Sequence, residues 1–280
     1  MKLCSFKHNG SPGYGLVIAN GVIDLTRRFS ATDLRTFLAA DLQDDAAGFA
    51  SDPVDFSLGD IVLEPVIPNP DKIICVGLNY HDHVQETGRT VTPYPLLFPR
   101  FAASQVGHGS AMVIPFESGE FDFEGEMAVI IGKGGRRISK QNALGHVAGY
   151  ACYNDGSVRD WQRHTSQYLP GKTFAATGGF GPWMVTTDEI PDPSVLTLTT
   201  RLNGQVVQHS TTDLMITDIP SIIAYCSTIL PLLPGDVLVS GTPGGVGARR
   251  TPPLWMKDGD IVEVEITQIG TLSNPVISER

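Results

Sequence analysis

Residues 121–133, FDFEGEMAVIIGK, constrain this chain more than any other stretch. The second half, MAVII, is continuously apolar and reads as a strand entering a core. The first half carries Asp122, Glu124 and Glu126 at every second position. Side chains alternate across a strand, so these carboxylates share one face while Phe123, Gly125 and Met127 take the other. Buried carboxylates repel one another and cost free energy unless something compensates them. One reading is a solvated strand face, which suits Asp122. The other is a hard divalent cation, Mg²⁺ or Mn²⁺, held by oxygen ligands.

Two further pieces bear on that choice. VAGYACYNDGSVRDWQ, residues 147–162, reads as an apolar strand ending at Asn154-Asp155. Strand ends are where such cores expose catalytic groups, so Asp155 is a candidate third ligand; the plain alternative is a turn or N-cap aspartate. In GLNYHDHVQETG, His83 and Glu86 stand three apart and share a face if the segment is helical. A carboxylate beside an imidazole fixes its tautomer and raises its basicity, as a general base needs. The plain alternative is a surface ion pair. His81 would point away from His83 on a helix and is left out. LPGKT lacks the earlier glycine of a phosphate loop, because Ser166 stands there. GTPGGVG is not followed by a helix pattern, which argues against a dinucleotide loop. It reads as a turn, or as backbone approaching a small anion with Thr242 as donor. No G-x-S-x-G or H-E-x-x-H occurs.

The remaining pattern is mostly β. Asn20-Gly21 predicts a hairpin within residues 14–26, and Asn203-Gly204 predicts another. Ser30 or Thr32 is the expected cap of a short helix. HDHVQETG is expected to form about two helical turns ending at Gly88. Clearer helices are expected from Ser139 and from Asp218, with Pro220 near the first turn. LEPVIPNPDK reads as a linker, so a boundary is expected near residue 68, dividing the chain into 1–67 and 68–280. Strands without regular βα alternation predict a mixed or all-β, barrel-like core rather than a doubly wound sheet.

With 280 residues and a formal net charge of -10, nucleic acid and anionic membrane are disfavoured as partners. The start MKLCSFKHNG turns polar at once, and the apolar runs are short. Cys4, Cys75, Cys152 and Cys226 are widely spaced among apolar residues. They read as reduced core thiols, and with the polar start they lead to an expected cytoplasmic location.

Taken in order, VGLNYHDHVQETG, FDFEGEMAVIIGK, VAGYACYNDGSVRDWQ, PGKTF, GPWMVTTDEIPDP and LLPGDVLVSGTPGGVG resemble the fumarylacetoacetate hydrolase family over roughly residues 70–268. The likeness points to its acylpyruvase and 2-hydroxyhepta-2,4-diene-1,7-dioate isomerase-like branch. It implies a mixed, β-rich α+β fold: a β-roll or distorted β-barrel catalytic domain with a small N-terminal α+β domain, as a homodimer. It also implies Mg²⁺ or Mn²⁺ on Glu124, Glu126 and Asp155, and a lid-like helix carrying His83 and Glu86. Lys172 would act beside them, and Gln162, Gly241 and Thr242 would contact substrate. Where the family often shows F-L-K-P-x-S, this chain has LFPRFAAS, with Arg100 in the lysine's place and Ser104 closing the motif. An arginine fork suits a carboxylate, so Arg100 and Ser104 are further expected substrate contacts. Pro170, Gly156 and FAATGGFGPW also depart from the usual pattern.

The expected activity is metal-dependent hydrolysis of a C–C bond in a 2,4-diketo acid of acylpyruvate or fumarylpyruvate type. His83 would take a proton from water, and Lys172 would stand beside the departing enolate. The alternative is a decarboxylase or keto–enol isomerase on a related 2-oxo acid, since both pass through the same enolate. A catalytically silent ligand-binding relative is the third reading. It gives no reason to keep base, lysine and acidic ligands together.

Overall fold

The computed structural model describes residues 1–280, and its strands fall into two main sheets. The larger has twelve strands. Its hydrogen-bonded path runs from Phe56–Ser57 through Gly21–Asp24, Ser11–Ile18, Lys2–His8, Gly178–Thr186, Val147–Asn154, Gly125–Ile131, Val237–Val239 and Ile73–Gly77 to Leu96–Arg100. That path is open at both ends, so the sheet curls without closing into a barrel. The smaller has five strands in the order Gln205–Thr211, Thr197–Leu202, Ile261–Ile266, Gly270–Ser278 and Met112–Ile114. Most pairs are antiparallel, but Val237–Val239 runs parallel to Ile73–Gly77. This is the mixed, β-rich α+β fold expected from the sequence.

The central strands are buried on both faces, which explains their continuous apolar runs. Gly125–Ile131 and Val147–Asn154 are buried at every position. Even residues of the first strand, Ala128 and Ile130, pack in one core with Leu3, Leu16 and Phe37. Odd residues, Met127, Val129 and Ile131, pack on the other face with Leu198, Ile222 and Val264. The first strand of the chain adds to this sheet directly, with Lys2 opposite Val185.

Several local expectations shift. The first predicted hairpin turns at Ala19-Asn20, one residue early, because Ile18 pairs with Gly21. Gly21 is needed for a different reason: a Cβ there would lie 2.8 Å from the Val54 Cβ. Asn203-Gly204 turns where expected, both residues having positive φ. The cap of the Leu34–Ala39 helix is Asp33, not Ser30 or Thr32; its carboxylate accepts the Thr36 N–H at 2.7 Å in a capping box. Ser139 precedes a 3₁₀ segment, Lys140–His146, rather than an α-helix. Asp218 caps Ile219–Ile229 with Pro220 in the first turn, as expected.

Candidate active site

The acidic strand is interrupted. Phe121–Asp122 pairs with Ser157–Val158, and the long strand restarts only at Gly125. That break turns Asp122 away from the other two carboxylates. Asp122 is therefore not solvated, contrary to the sequence reading. It is fully buried and meets Arg159 at 2.8 Å, with the N–H groups of Gly247 and Ala248 at 2.8 and 2.9 Å.

Glu124 and Glu126 stay together with Asp155. The antiparallel register sets Gly125 opposite Asn154, so the next residue, Asp155, lands beside Glu124. The Asp155 N–H donates to the Glu124 carbonyl at 2.8 Å, and Asn154 Oδ1 accepts the Glu124 N–H at 3.0 Å. One oxygen from each of Glu124, Glu126 and Asp155 lies within 4.8 Å of the others, all buried.

Basic groups balance part of this charge. Lys172 Nζ lies 2.6 Å from Glu124 Oε2 and 2.7 Å from Asp155 Oδ2. Arg159 reaches Glu124 Oε1 at 2.6 Å, and Arg100 pairs with Asp155. Burial pushes the Glu124 carboxyl up, but Arg159 and Lys172 outweigh it and hold it below the ordinary carboxylate range. Burial likewise pulls Lys172 down, yet Asp155 and Glu124 outweigh it and keep the ammonium charged. Glu126 differs. Its recorded polar partner is the Gly241 N–H at 2.5 Å, with no basic side chain in ion-pair range. Burial, then Asp155 and Glu124, push its carboxyl well above the usual range. Four buried carboxylates, with Asp122 counted, thus face the three buried cations Arg100, Arg159 and Lys172. Glu126 is the carboxyl left without a cationic partner, beside the oxygens of Glu124 and Asp155. That donor set fits a hard divalent cation.

His83 and Glu86 lie on the His81–Thr87 helix, which ends at Gly88 with φ of 68°. His83 Nδ1 and Glu86 Oε1 are 2.7 Å apart, and Glu86 Oε2 accepts the Gly245 N–H at 2.8 Å. With the carboxylate as acceptor, Nδ1 carries the proton and Nε2 is the ring nitrogen left for the cavity. That cavity holds about 480 Å³. His83, Glu124, Glu126, Gln162, Lys172 and Thr242 all line it. Arg89, Arg163 and Arg249 stand around it too, and all three are exposed.

Three expected substrate contacts lie outside that cavity. Arg100 does not face the cavity: its side chain is fully buried behind Asp155, donating also to the Gly156 carbonyl at 2.9 Å and Thr177 Oγ1 at 2.8 Å. Ser104 accepts from Arg100 at 3.3 Å. The fork holds Asp155 rather than a ligand. Gly241 acts through its N–H on Glu126, outside the cavity lining. In the glycine loop, the N–H groups of Gly241, Gly245, Gly247 and Ala248 hold the protein's own Glu126, Glu86 and Asp122. Arg159 went unassigned in the sequence although its motif, R-D-W-Q, was in view. It joins Asp122, Glu124 and, at 2.9 Å, Gln162.

The family profile described as fumarylacetoacetate (FAA) hydrolase C-terminal matches residues 72–277. Oxaloacetate tautomerase fahd2, mitochondrial, of Xenopus laevis is 40% identical over 288 residues, covering 99% of this chain and 90% of that protein. Among solved structures, fumarylacetoacetate hydrolase from psychrophilic Exiguobacterium antarcticum is 33% identical with a TM-score of 0.84, covering 100% of both chains. Maleylpyruvate hydrolase from Sphingobium sp. SYK-6, in complex with manganese (II) ion and pyruvate, is 28% identical with a TM-score of 0.84, again covering 100% of both. The expected cytoplasmic location is corrected by these relatives, since the Xenopus laevis protein is named as mitochondrial. The four cysteines are free and buried, but any thiol-reducing compartment permits that state.

Proposed function

The chain belongs to the fumarylacetoacetate hydrolase family, and on that premise we propose that it is a divalent-metal-dependent keto–enol tautomerase of oxaloacetate-class 2-oxo acids. The observation that carries the reading is one cavity with two parts. His83, oriented by Glu86, lines it from the helix, and Glu124 and Glu126 line it from the acidic strand, with Asp155 buried beside them.

Tautomerisation moves one proton and breaks no carbon–carbon bond. A base takes the proton from C3. The electron pair shifts into the C2–C3 bond, and charge gathers on the C2 oxygen. The same acid then returns the proton to that oxygen. His83 suits this work, because Glu86 fixes the tautomer that leaves Nε2 basic and stabilises the imidazolium between the two transfers. Lys172, kept charged by Asp155 and Glu124, stands where negative charge develops and is unsuited to act as a base. Gln162 offers its amide to orient the acid, and Thr242 lines the cavity with its hydroxyl proton given to the Gly125 carbonyl. Glu124, Glu126 and Asp155 would hold Mg²⁺ or Mn²⁺, which when bound chelates a 2-oxo carboxylate and acidifies its C3 protons. In this reading residues 68–280 carry the chemistry, and residues 1–67 extend the large sheet.

The name of the Xenopus laevis relative supports tautomerisation over C–C hydrolysis, which the sequence reading placed first. Hydrolysis remains the second reading because the His83–Glu86 pair is also what a water-activating base requires, and the Sphingobium relative is a hydrolase. The deciding experiment uses freshly dissolved oxaloacetate and Mg²⁺-loaded protein. A tautomerase speeds the approach of enol absorbance to equilibrium while total oxaloacetate stays constant. No acceleration would remove the proposal. Depletion of oxaloacetate would replace it with decarboxylation, and cleavage of acylpyruvates alone would restore hydrolysis.

A further inference from the structure

Glu124 and Glu126 flank Gly125, so the orientation of that one residue's backbone aims both carboxylates. Its two polar groups are held from outside the strand. Gln208 Oε1, on the Gln205–Thr211 strand of the smaller sheet, accepts the Gly125 N–H at 2.9 Å. Gln208 Nε2 donates to Thr242 Oγ1 at 2.8 Å and to the Pro243 carbonyl at 2.9 Å. Thr242 Oγ1 in turn donates to the Gly125 carbonyl at 3.0 Å. The three residues close a ring that fastens the Glu-Gly-Glu segment to the glycine loop.

The ring specifies its residues. Gln208 is buried, and its amide must present oxygen to Gly125 and nitrogen to Thr242 and Pro243. Glutamate would keep the acceptor and lose both donors; asparagine is one methylene too short. Gly125 is equally constrained, because a Cβ there would come within 2.0 Å of Thr200 Oγ1, the residue paired with Gln208. The smaller sheet presses on the acidic strand through these two side chains.

We infer that Gln208 is a positioning residue for cation binding: it sets the splay of Glu124 and Glu126 through Gly125 and couples them to Thr242. It belongs neither to the cavity lining nor to the carboxylate cluster. The inference rests on the reading of Glu124, Glu126 and Asp155 as the cation site. Outer partners of metal ligands typically contribute about 10–100-fold to affinity, which sets the expected scale.

The test titrates EDTA-stripped, full-length protein with Mn²⁺, following the electron paramagnetic resonance signal of free Mn²⁺. Gln208→Met should weaken Mn²⁺ binding by about 10–100-fold and change the spectrum of the bound ion. Thr242→Val opens the same ring from the loop and should weaken binding in the same direction; Thr242→Ser keeps the hydroxyl and should restore it. The Thr242 pair decides the matter should Gln208→Met fail to fold. Wild-type Mn²⁺ affinity in Gln208→Met or in Thr242→Val would overturn the inference. No Mn²⁺ binding by the wild type would instead overturn the cation site itself.

Discussion

Glu86 is braced from behind by Gly245. The loop N–H meets Oε2 at 2.8 Å while Oε1 engages His83 at 2.7 Å, so the carboxylate cannot rotate without losing a partner. The proposed base and its orienter are thereby held in place on a helix of only seven residues. Glu86→Gln should therefore be as damaging as a loss of charge and tautomer together. Its amide nitrogen can turn toward Nδ1 and leave the proton on Nε2, where a base is wanted. Turnover should fall by about 10²–10⁴-fold, as for His83→Ala, with Mn²⁺ affinity little changed. Near-normal turnover by either variant would take His83 out of the proton path.

The proposed cation ligands should behave differently from one another in metal-free protein. Glu124 is paired with Lys172 and Arg159, so Glu124→Gln breaks two buried ion pairs and should cost the metal-free protein about 3 kcal/mol. Glu126 has no such partner, so Glu126→Gln should raise the metal-free melting temperature. Both variants should lose tight Mn²⁺ binding. Calorimetric melts in EDTA and in Mn²⁺ check this; equal destabilisation by the two substitutions would contradict the charge balance described above.

The exposed arginines of the cavity differ in their partners. Arg163 is paired with Glu120, while Arg89 reaches only the Tyr168 hydroxyl and Arg249 has no carboxylate partner. Arg89→Ala and Arg249→Ala should raise KM for a dicarboxylic 2-oxo acid by about two- to fivefold, with kcat preserved, and the effect should fade at high salt. Arg163→Ala should do less. A drop in kcat without a change in KM would place these side chains in the chemistry instead.

His108 provides a pH handle that is not part of the acidic cluster. Burial lowers its pKa below 6.5, against weaker raising contributions from Thr271 and Glu263, and Nδ1 accepts the Ser273 N–H at 3.1 Å. The folded form thus resists a proton that the unfolded chain takes. The contribution of His108 to stability is fully present above about pH 6.5 and is lost as the pH falls toward the depressed folded value. His108→Asn, which can still accept from Ser273, should flatten the stability–pH curve in that window. An unchanged slope between pH 7 and about 5 would discount the residue.

The carboxylate cluster was legible because two simple rules converge on it: alternation along a strand, and exposure at a strand end. Asp122 was misread since alternation says nothing about where a strand breaks, and the break at Phe123 rotates it onto Arg159. Arg100 was misread for a related reason. A residue type announces a carboxylate partner without saying whose, and here the partner is Asp155. The Leu96–Arg100 strand was hidden by Pro99, which the edge position tolerates. Lys2–His8 was passed over although Asn9-Gly10 turns it into its neighbour, both with positive φ. Gln208 left no local trace, because its meaning lies in a backbone 83 positions away.

The glycine loop clasps three carboxylates from two separate stretches of chain, Glu86 from one and Asp122 and Glu126 from the other. Inserting or deleting one residue between Gly241 and Ala248 would misplace all three at once, however harmless the change looks in a sequence. Such a segment has almost no room to drift. Diversification toward new acids must then occur on the outer wall, in the stretch after Gly88 and around residues 163–168, where side chains reach the cavity without serving as anchors. An engineer seeking altered selectivity should randomise that wall and leave the loop's length untouched.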